Sequence, residues 1–440
     1  MRRMIPGLMA AALAATAPAL AQTPPPPDGL DWPQWRGARR DGVWRESGIA
    51  ETLPEGRVPL RWSVPLGSGY SGPTVAAGRV YVMDRVKEPV PGERVLCLDW
   101  ASGATLWSHA YDASYEGFAY TAGPRASVTV HDGRAYALGA AGHLHCLDAA
   151  TGKLLWRRDL RKEHRIRMPK WGIAASPLIE GELLLTQIGG EGEGCVVALD
   201  RRTGEDRWKA LSDAAAYSAP VAIDQAGRRV AVFFLADRVV GLDAGKGELL
   251  WSYEMPGSSW PITIPTPVVE GDLLFVTTAH VGAALLRLRS DRPAVEEIWR
   301  RDGRKTRSPD SLHSVIPTPL ILDGHVFGVH GRGELRCLEL LTGRRVWEET
   351  RLAPPASHCT HHLVRLGEKG DRAWISTDQG ELVLARLSAS GFEELARGRL
   401  LDPTRDQERR GVSWSHPAYA YRHVYARNDR ELVCADLSAK

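Results

Sequence analysis

The 440-residue sequence lacks most of the signatures that would place it at once in a common enzyme or membrane class. It has no H-E-x-x-H pair, no G-x-S-x-G elbow and no kinase or nucleotide fingerprint, which excludes the familiar zinc-protease, serine-hydrolase and phosphoryl-transfer layouts. No apolar stretch beyond residue 20 is long enough to cross a bilayer as a helix. An excess of charge is missing too. The 56 basic residues face 53 acidic ones, a net of +3, which argues against a dedicated nucleic-acid binder. Asparagine occurs once, at Asn428, and no two cysteines adjoin. Glycine (44) and proline (29) are abundant instead, implying many tight turns and arguing against a helical bundle or a disordered chain. A β-rich globular protein is the class that remains.

Residues 1–21 read as an export signal: Arg2 and Arg3 supply the positive start, Ile5 to Leu20 the apolar run, and Ala19-Leu20-Ala21 a small-x-small cleavage site. Its removal brings the net charge near +1 and places the expected protein in the periplasm or outside the cell. No cysteine follows the cleavage site, so no lipid anchor is expected; the alternative is an uncleaved leader that acts as the anchor. Residues 22–30, with four consecutive prolines, read as a linker, and residues 31–440 as one domain.

That domain repeats itself. Asp99, Asp148, Asp200, Asp243 and Glu339 each end an apolar run, with glycine four residues on and tryptophan eight on: Trp107, Trp156, Trp208, Trp251 and Trp347. Trp299 fits with a longer turn, and Leu395 holds the place in a degenerate copy. From Trp62 the steps are 45, 49, 52, 43, 48, 48 and 48 residues, the size of one four-stranded propeller blade. Within a unit, RASVTV, RAYALG, HLHCLD and KLLWRRDL alternate with period two between turns, so each blade is an antiparallel meander. The tryptophans read as blade-to-blade packing and the aspartates as turn caps. Eight blades begin near Thr74, Ser127, Ser176, Ala219, Thr266, Thr318, His362 and His416. The eighth runs out after Asp436, so the strand PLRWSVP (59–65), carrying Trp62, is expected to complete it and close the ring.

The strings CLDAATGKLLW, ALDRRTGEDRW and CLELLTGRRVW resemble the repeat of pyrroloquinoline-quinone (PQQ) proteins and of the BamB outer-membrane assembly factors. The segments DWPQWRGARRDG and WSHPAYAYRHVYARNDRELVC are similar to those of exported PQQ-like propellers. The resemblance implies an eight-bladed β-propeller and two opposed roles. A quinoprotein alcohol dehydrogenase would hold PQQ over calcium with glutamate and asparagine ligands, use an aspartate base, and stack the quinone between a tryptophan and a vicinal disulfide. The lone Asn428, in a turn, and the missing vicinal cysteines disfavour PQQ and calcium here. The other implied role is a non-catalytic binding or scaffold module in the envelope, with a protein partner and a monomeric chain. That reading is preferred, with a PQQ-like or metal-dependent oxidoreductase at the channel mouth as the alternative.

Whatever the role, the connections from one blade's outer strand to the next blade's inner strand lead onto one mouth of the channel. They carry Tyr70, Arg125, Trp171, Tyr217, Trp260, His313, His358, His361, Trp414 and His416. Five of 14 histidines (His313, His358, His361, His362 and His416) fall in three consecutive connections, where converging imidazoles would bind a transition metal or serve as acid and base. Polar lining is the plainer reading. Cys97, Cys146, Cys337 and Cys434 share one repeated strand position that suits a buried small residue, while pairing of Cys195 with Cys359 stays open. The run Arg161 to Lys170 reads as a solvated basic loop, or a contact for an acidic partner or lipid headgroups, and Gly189 to Gly194 as a strand connection.

Overall fold

The structure is a computed structural model that describes residues 22–88, 90–256, 262–301, 310–407 and 409–439; the expected export signal lies outside the described residues. The period-two segments form the expected meanders. In one unit, Thr129–His131, Arg134–Leu138, His143–Asp148 and Leu154–Asp159 pair antiparallel in chain order. Asp148 Oδ1 accepts from the backbone N–H groups of Ala150 (3.1 Å) and Thr151 (2.8 Å) and from the Thr151 hydroxyl, which fixes the turn into the outer strand. Eight such sheets form the propeller. The last, built from Ala418–Ala420, His423–Arg427 and Glu431–Asp436, receives Leu60–Pro65 as its fourth strand, with Trp62 opposite Cys434. Among the described residues the lone helix is the single turn Leu160–Glu163, and none is long and apolar enough to cross a membrane.

The repeated tryptophan joins most blades to the next, whereas Trp251 donates to Gln225 Oε1 of its own blade. Trp62 donates its indole N–H to Trp100 O at 2.9 Å, Trp107 to Ala149 O at 3.1 Å, Trp208 to Ala244 O at 3.1 Å and Trp299 to Leu340 O at 2.8 Å. Three residues after each acceptor comes the turn glycine, against which the ring lies flat. A Cβ on Gly103, Gly152, Gly247 or Gly343 would approach that ring to between 2.5 and 2.8 Å, and all four glycines have positive φ. The T-G of the motif is therefore a seat for the preceding blade's indole. The residue across the strand pair from each tryptophan is usually small: Cys97, Cys146, Ala198, Gly241, Cys337 and Cys434. All six cysteines are buried and free, Cys195 and Cys359 included.

Two features depart from the sequence reading. The expected linker is docked, because Thr23 bonds to the Asp99 carboxylate and Trp100 Nε1 reaches the carbonyls of Thr23 and Pro24 at 3.2 Å each. Residues 31–46 then cross the channel as a plug. Trp32 pairs with Val75 of the first blade, Pro33 O accepts from Val130 of the second, and Trp35 Nε1 donates to Thr266 Oγ1 of the fifth at 2.8 Å. Val43–Trp44 adds a parallel strand to His361–Leu366 of the seventh. Arg40, wholly buried, donates to the carbonyls of Ser176, Pro177 and Pro220, which belong to the third and fourth blades, and to Gln34 Oε1. Arg36 and Arg40 both adopt positive φ (61° and 59°), the turns that fold this segment back on itself.

Candidate functional site

Above the plug, the connections between blades line a cavity of about 180 Å³ that opens at the channel mouth. Trp35, on the plug, lines it, with the His416 ring edge-on at 4.3 Å. The short inner strands bring the connections together here. Neighbouring blades are tied at this level by Ser127 N–H to Ser176 Oγ (3.0 Å) and Thr266 N–H to Thr318 Oγ1 (3.0 Å). Gly72 lies so close to the His416 imidazole and carbonyl that any side chain there would collide.

One wall is a run of aromatic rings: Tyr217 to Trp171 at 5.0 Å, Trp171 to Tyr120 at 6.2 Å, Tyr120 to Trp414 at 5.8 Å, and Trp414 to Tyr70 at 6.3 Å. Ile262, Ile264, Val315 and Ile316 supply aliphatic lining. Arg125 sits over the Tyr70 ring at 5.0 Å, with its guanidinium held by the carbonyls of Ala119, Tyr120 and Gly123. Burial lowers the pKa of Arg125, against the opposing charge of Glu93 nearby. The indole N–H groups of Trp171 and Trp414 are buried with no hydrogen-bond partner among the described residues. Tyr217 OH accepts from the Trp171 backbone N–H at 3.4 Å.

The histidines divide by strand alternation. His361 and His362 are consecutive in one strand, so their side chains leave on opposite sides. His362 lines the cavity and donates through Nε2 to Trp414 O at 2.9 Å; His361 is fully buried away from it, near Cys359 and Gly333. Burial pushes both imidazoles down to about 4. His416 shares a 2.8 Å hydrogen bond with Ser127 Oγ, and burial, with His362 and Arg36 nearby, drives its pKa well below the usual value. His362 and His416 are thus poised to stay neutral.

Of the residues singled out from sequence, Tyr70, Arg125, Trp171, Tyr217, His358, Trp414 and His416 come together in this cavity. His313 does not: its Nδ1 meets Ala279 O at 3.1 Å, and its ring packs beside His330. The four-histidine centre of His313, His358, His361 and His416 is therefore not formed, because alternation turns His361 inward and His313 pairs with His330 instead. Trp260 lies outside the described residues. Among the described residues no three His, Cys, Asp or Glu side chains are grouped to hold a metal. Sequence reasoning missed Trp35, since only the plug's path brings that ring to the mouth, and Tyr120, whose one sequence signal is its place in a connection between blades.

The residues present do not fit calcium-held PQQ. The cavity lining contains no carboxylate or carboxamide among the described residues, whereas calcium requires several hard oxygens at one point. Asn428 is occupied in its turn, its Oδ1 accepting from the backbone N–H groups of Arg430 and Glu431 and its Nδ2 donating to Asp402 O.

Among known proteins, the chain is 27% identical over 230 residues to the outer membrane protein assembly factor BamB of Shewanella oneidensis, covering 51% of this chain and 56% of that protein. It is 30% identical over 137 residues to the quinoprotein alcohol dehydrogenase PedE of Pseudomonas putida, but this match covers 28% of the chain and 18% of the enzyme. The chain thus spans about half the length of the BamB relatives it matches. In fold it is similar to BamB from Moraxella catarrhalis (TM-score 0.59, 16% identity, 86% of this chain and 99% of that one). A europium-containing methanol dehydrogenase is also similar (TM-score 0.66, 14% identity, 90% and 89%). The family profile described as outer membrane protein assembly factor BamB matches residues 91–259, 161–300 and 262–440, so that its repeat runs through most of the propeller, and the chain belongs to this family of PQQ-repeat β-propellers.

Proposed function

We propose that the protein is a non-catalytic binding module of the cell envelope, exported to the periplasm and engaging an envelope protein as a monomer through the channel-mouth cavity. The observation that carries this reading is the character of that cavity. It offers aromatic and aliphatic faces, and its described lining has neither a carboxylate to hold calcium nor one to act as a base. Kinship with an outer membrane assembly factor supports the envelope role, and the leader-like sequence of residues 1–21 supports export. The plug supports it as well, because a channel crossed by residues 31–46 is a blind recess rather than a passage.

The test combines cell fractionation with calorimetric titration of the purified protein by PQQ and calcium. The expected result is recovery in the periplasmic fraction, no saturable PQQ binding and no dye-linked alcohol oxidation. Calcium-dependent stoichiometric PQQ binding together with alcohol oxidation would overturn the reading and establish a quinoprotein.

A further inference from the structure

The plug leaves a second recess on its far side, at the other end of the channel, and we infer that this recess binds a phosphate-type oxyanion on Arg36 and Arg365. Four inner segments pass the aromatic cavity at Ala219, Ile264, Ile316 and His362, then reach the recess at Val221, Val268, Leu320 and Arg365. Its volume is about 520 Å³, room for a phosphate with an organic group attached. Six arginines and four carboxylates line it, and the pairing among them is uneven. Asp41 is bonded by Arg45 and by the Val43 N–H, and Glu368 by Arg39 (3.0 Å) and Arg45 (2.7 Å). Arg229 binds Asp224 and Glu180, and Glu270 stands exposed at a hairpin turn.

Arg36, Arg40 and Arg365 are left with no carboxylate hydrogen bond among the described residues. Arg40 is taken up by its carbonyls and Gln34. Arg36 is not: only 8% exposed, it donates through Nη2 to Asp41 O at 2.9 Å, while its Nε and Nη1 have no partner and are not sealed off. The Arg365 guanidinium meets Gly370 O alone, at 3.4 Å. Both arginines converge on Gly42. The Arg36 guanidinium lies across that residue, where a Cβ would come within 2.5 Å of Nη2, and the Arg365 backbone N–H donates to its carbonyl at 2.8 Å. Burial lowers Arg36 to about 10 against the pull of Asp41, and Arg40 to about 9 with no carboxylate acting on it. Desolvated guanidinium groups short of counter-charge are what an arriving oxyanion stabilises, and their fork matches phosphate oxygens. A carboxylate would bring one charge; a phosphate dianion meets two cations while Asp41 and Glu368 stay with Arg45 and Arg39.

The experiment titrates the full chain calorimetrically with inorganic phosphate and with glycerol 3-phosphate in a chloride buffer. Saturable binding is expected, weakened roughly tenfold by Arg36→Gln and by Arg365→Gln. Arg207→Gln, which removes the same charge from an exposed outer strand, should leave it unchanged. Thermal melts confirm that each variant is folded; if Arg36→Gln is not, Arg365→Gln, at the half-buried position, carries the comparison. Flotation with phosphatidylglycerol vesicles separates the sources of the phosphate. Flotation blocked by glycerol 3-phosphate assigns the recess to a lipid headgroup, and titration without flotation assigns it to a soluble phosphate. No saturable phosphate binding, binding that neither recess variant weakens, or an equal loss in Arg207→Gln would each overturn the inference. None of these outcomes bears on the aromatic cavity at the other mouth, which the PQQ titration tests separately.

Discussion

Replacing Trp62 by alanine tests whether residues 60–65 truly close the ring. Trp62 is 8% exposed, rests on Gly103, donates to Trp100 O and packs 6.0 Å from the Tyr425 ring. Removing a buried indole of this kind costs about 4 kcal/mol, including the carbonyl left without a donor. A domain of roughly 410 residues unfolds with an entropy near 0.9 kcal/mol per degree, so Tm should fall by about 5 °C. Trp107→Ala is the calibrator, since Trp107 makes the same indole bond to Ala149 O and lies on Gly152 within the continuous part of the ring. Calorimetry and limited proteolysis of both variants should give similar losses. A fall for Trp107→Ala with no change for Trp62→Ala would refute closure. Deleting residues 59–65 should be more severe than either substitution, because it exposes the whole edge of Glu431–Asp436.

Acid should destabilise the fold through its buried imidazoles. Burial lowers His145 to about 3 and His361 and His362 to about 4. Below about pH 6.5 the unfolded chain therefore takes up protons that the folded chain refuses, and these three groups together remove roughly 4 kcal/mol per pH unit down to about pH 4. A Tm at pH 5 equal to that at pH 7 would contradict this. Arg40→Met should cost about 3–5 kcal/mol in chemical denaturation by stranding the carbonyls of Ser176 and Pro220, and Arg40→Lys should fail to restore the loss because it lacks the fork. A variant as stable as the parent would show that the plug does not hold as described. The six buried cysteines should ignore Ellman's reagent in the native protein and all react in denaturant, since burial pushes Cys97, Cys195 and Cys337 up to about 12; a fast native thiol would refute that burial.

The blades were legible because two local rules repeat. Strand alternation and the D-x-x-T-G-x-x-x-W register need only near neighbours in sequence, and the motif's tryptophan and glycine turn out to be partners across adjacent blades. The eighth blade was legible by subtraction, from an outer strand missing after Asp436 and a spare one at Trp62. The plug was not, since nothing local in DWPQWRGARRDG states that its arginines would meet carbonyls of the third and fourth blades. The candidate site was legible only as a set of connections. Alternation within His361-His362 would have indicated that both cannot face the channel, but choosing between them requires the sheet's orientation. The proline-rich start reads as a linker by composition, yet its carbonyls found Trp100, a partner no spacing rule announces.

The plug and the closing strand also set the order in which the molecule can be made. Residues 31–46 touch blades from one side of the ring to the other, and residues 60–65 wait for a partner strand at 431–436. A chain that emerges from its N-terminus meets the plug's first partners, Val75 and Val130, early, but carries Val43–Trp44 and the closing strand for most of its length before their partners appear. These are pairings of extreme sequence separation, whose loop-closure entropy is met late and slowly. Until then the edge strands and the aromatic mouth stay exposed, and the half-made ring is a substrate for holding chaperones and proteases. Closure of the ring therefore waits on the strand at residues 431–436, so the two ends of the chain are fastened to each other last.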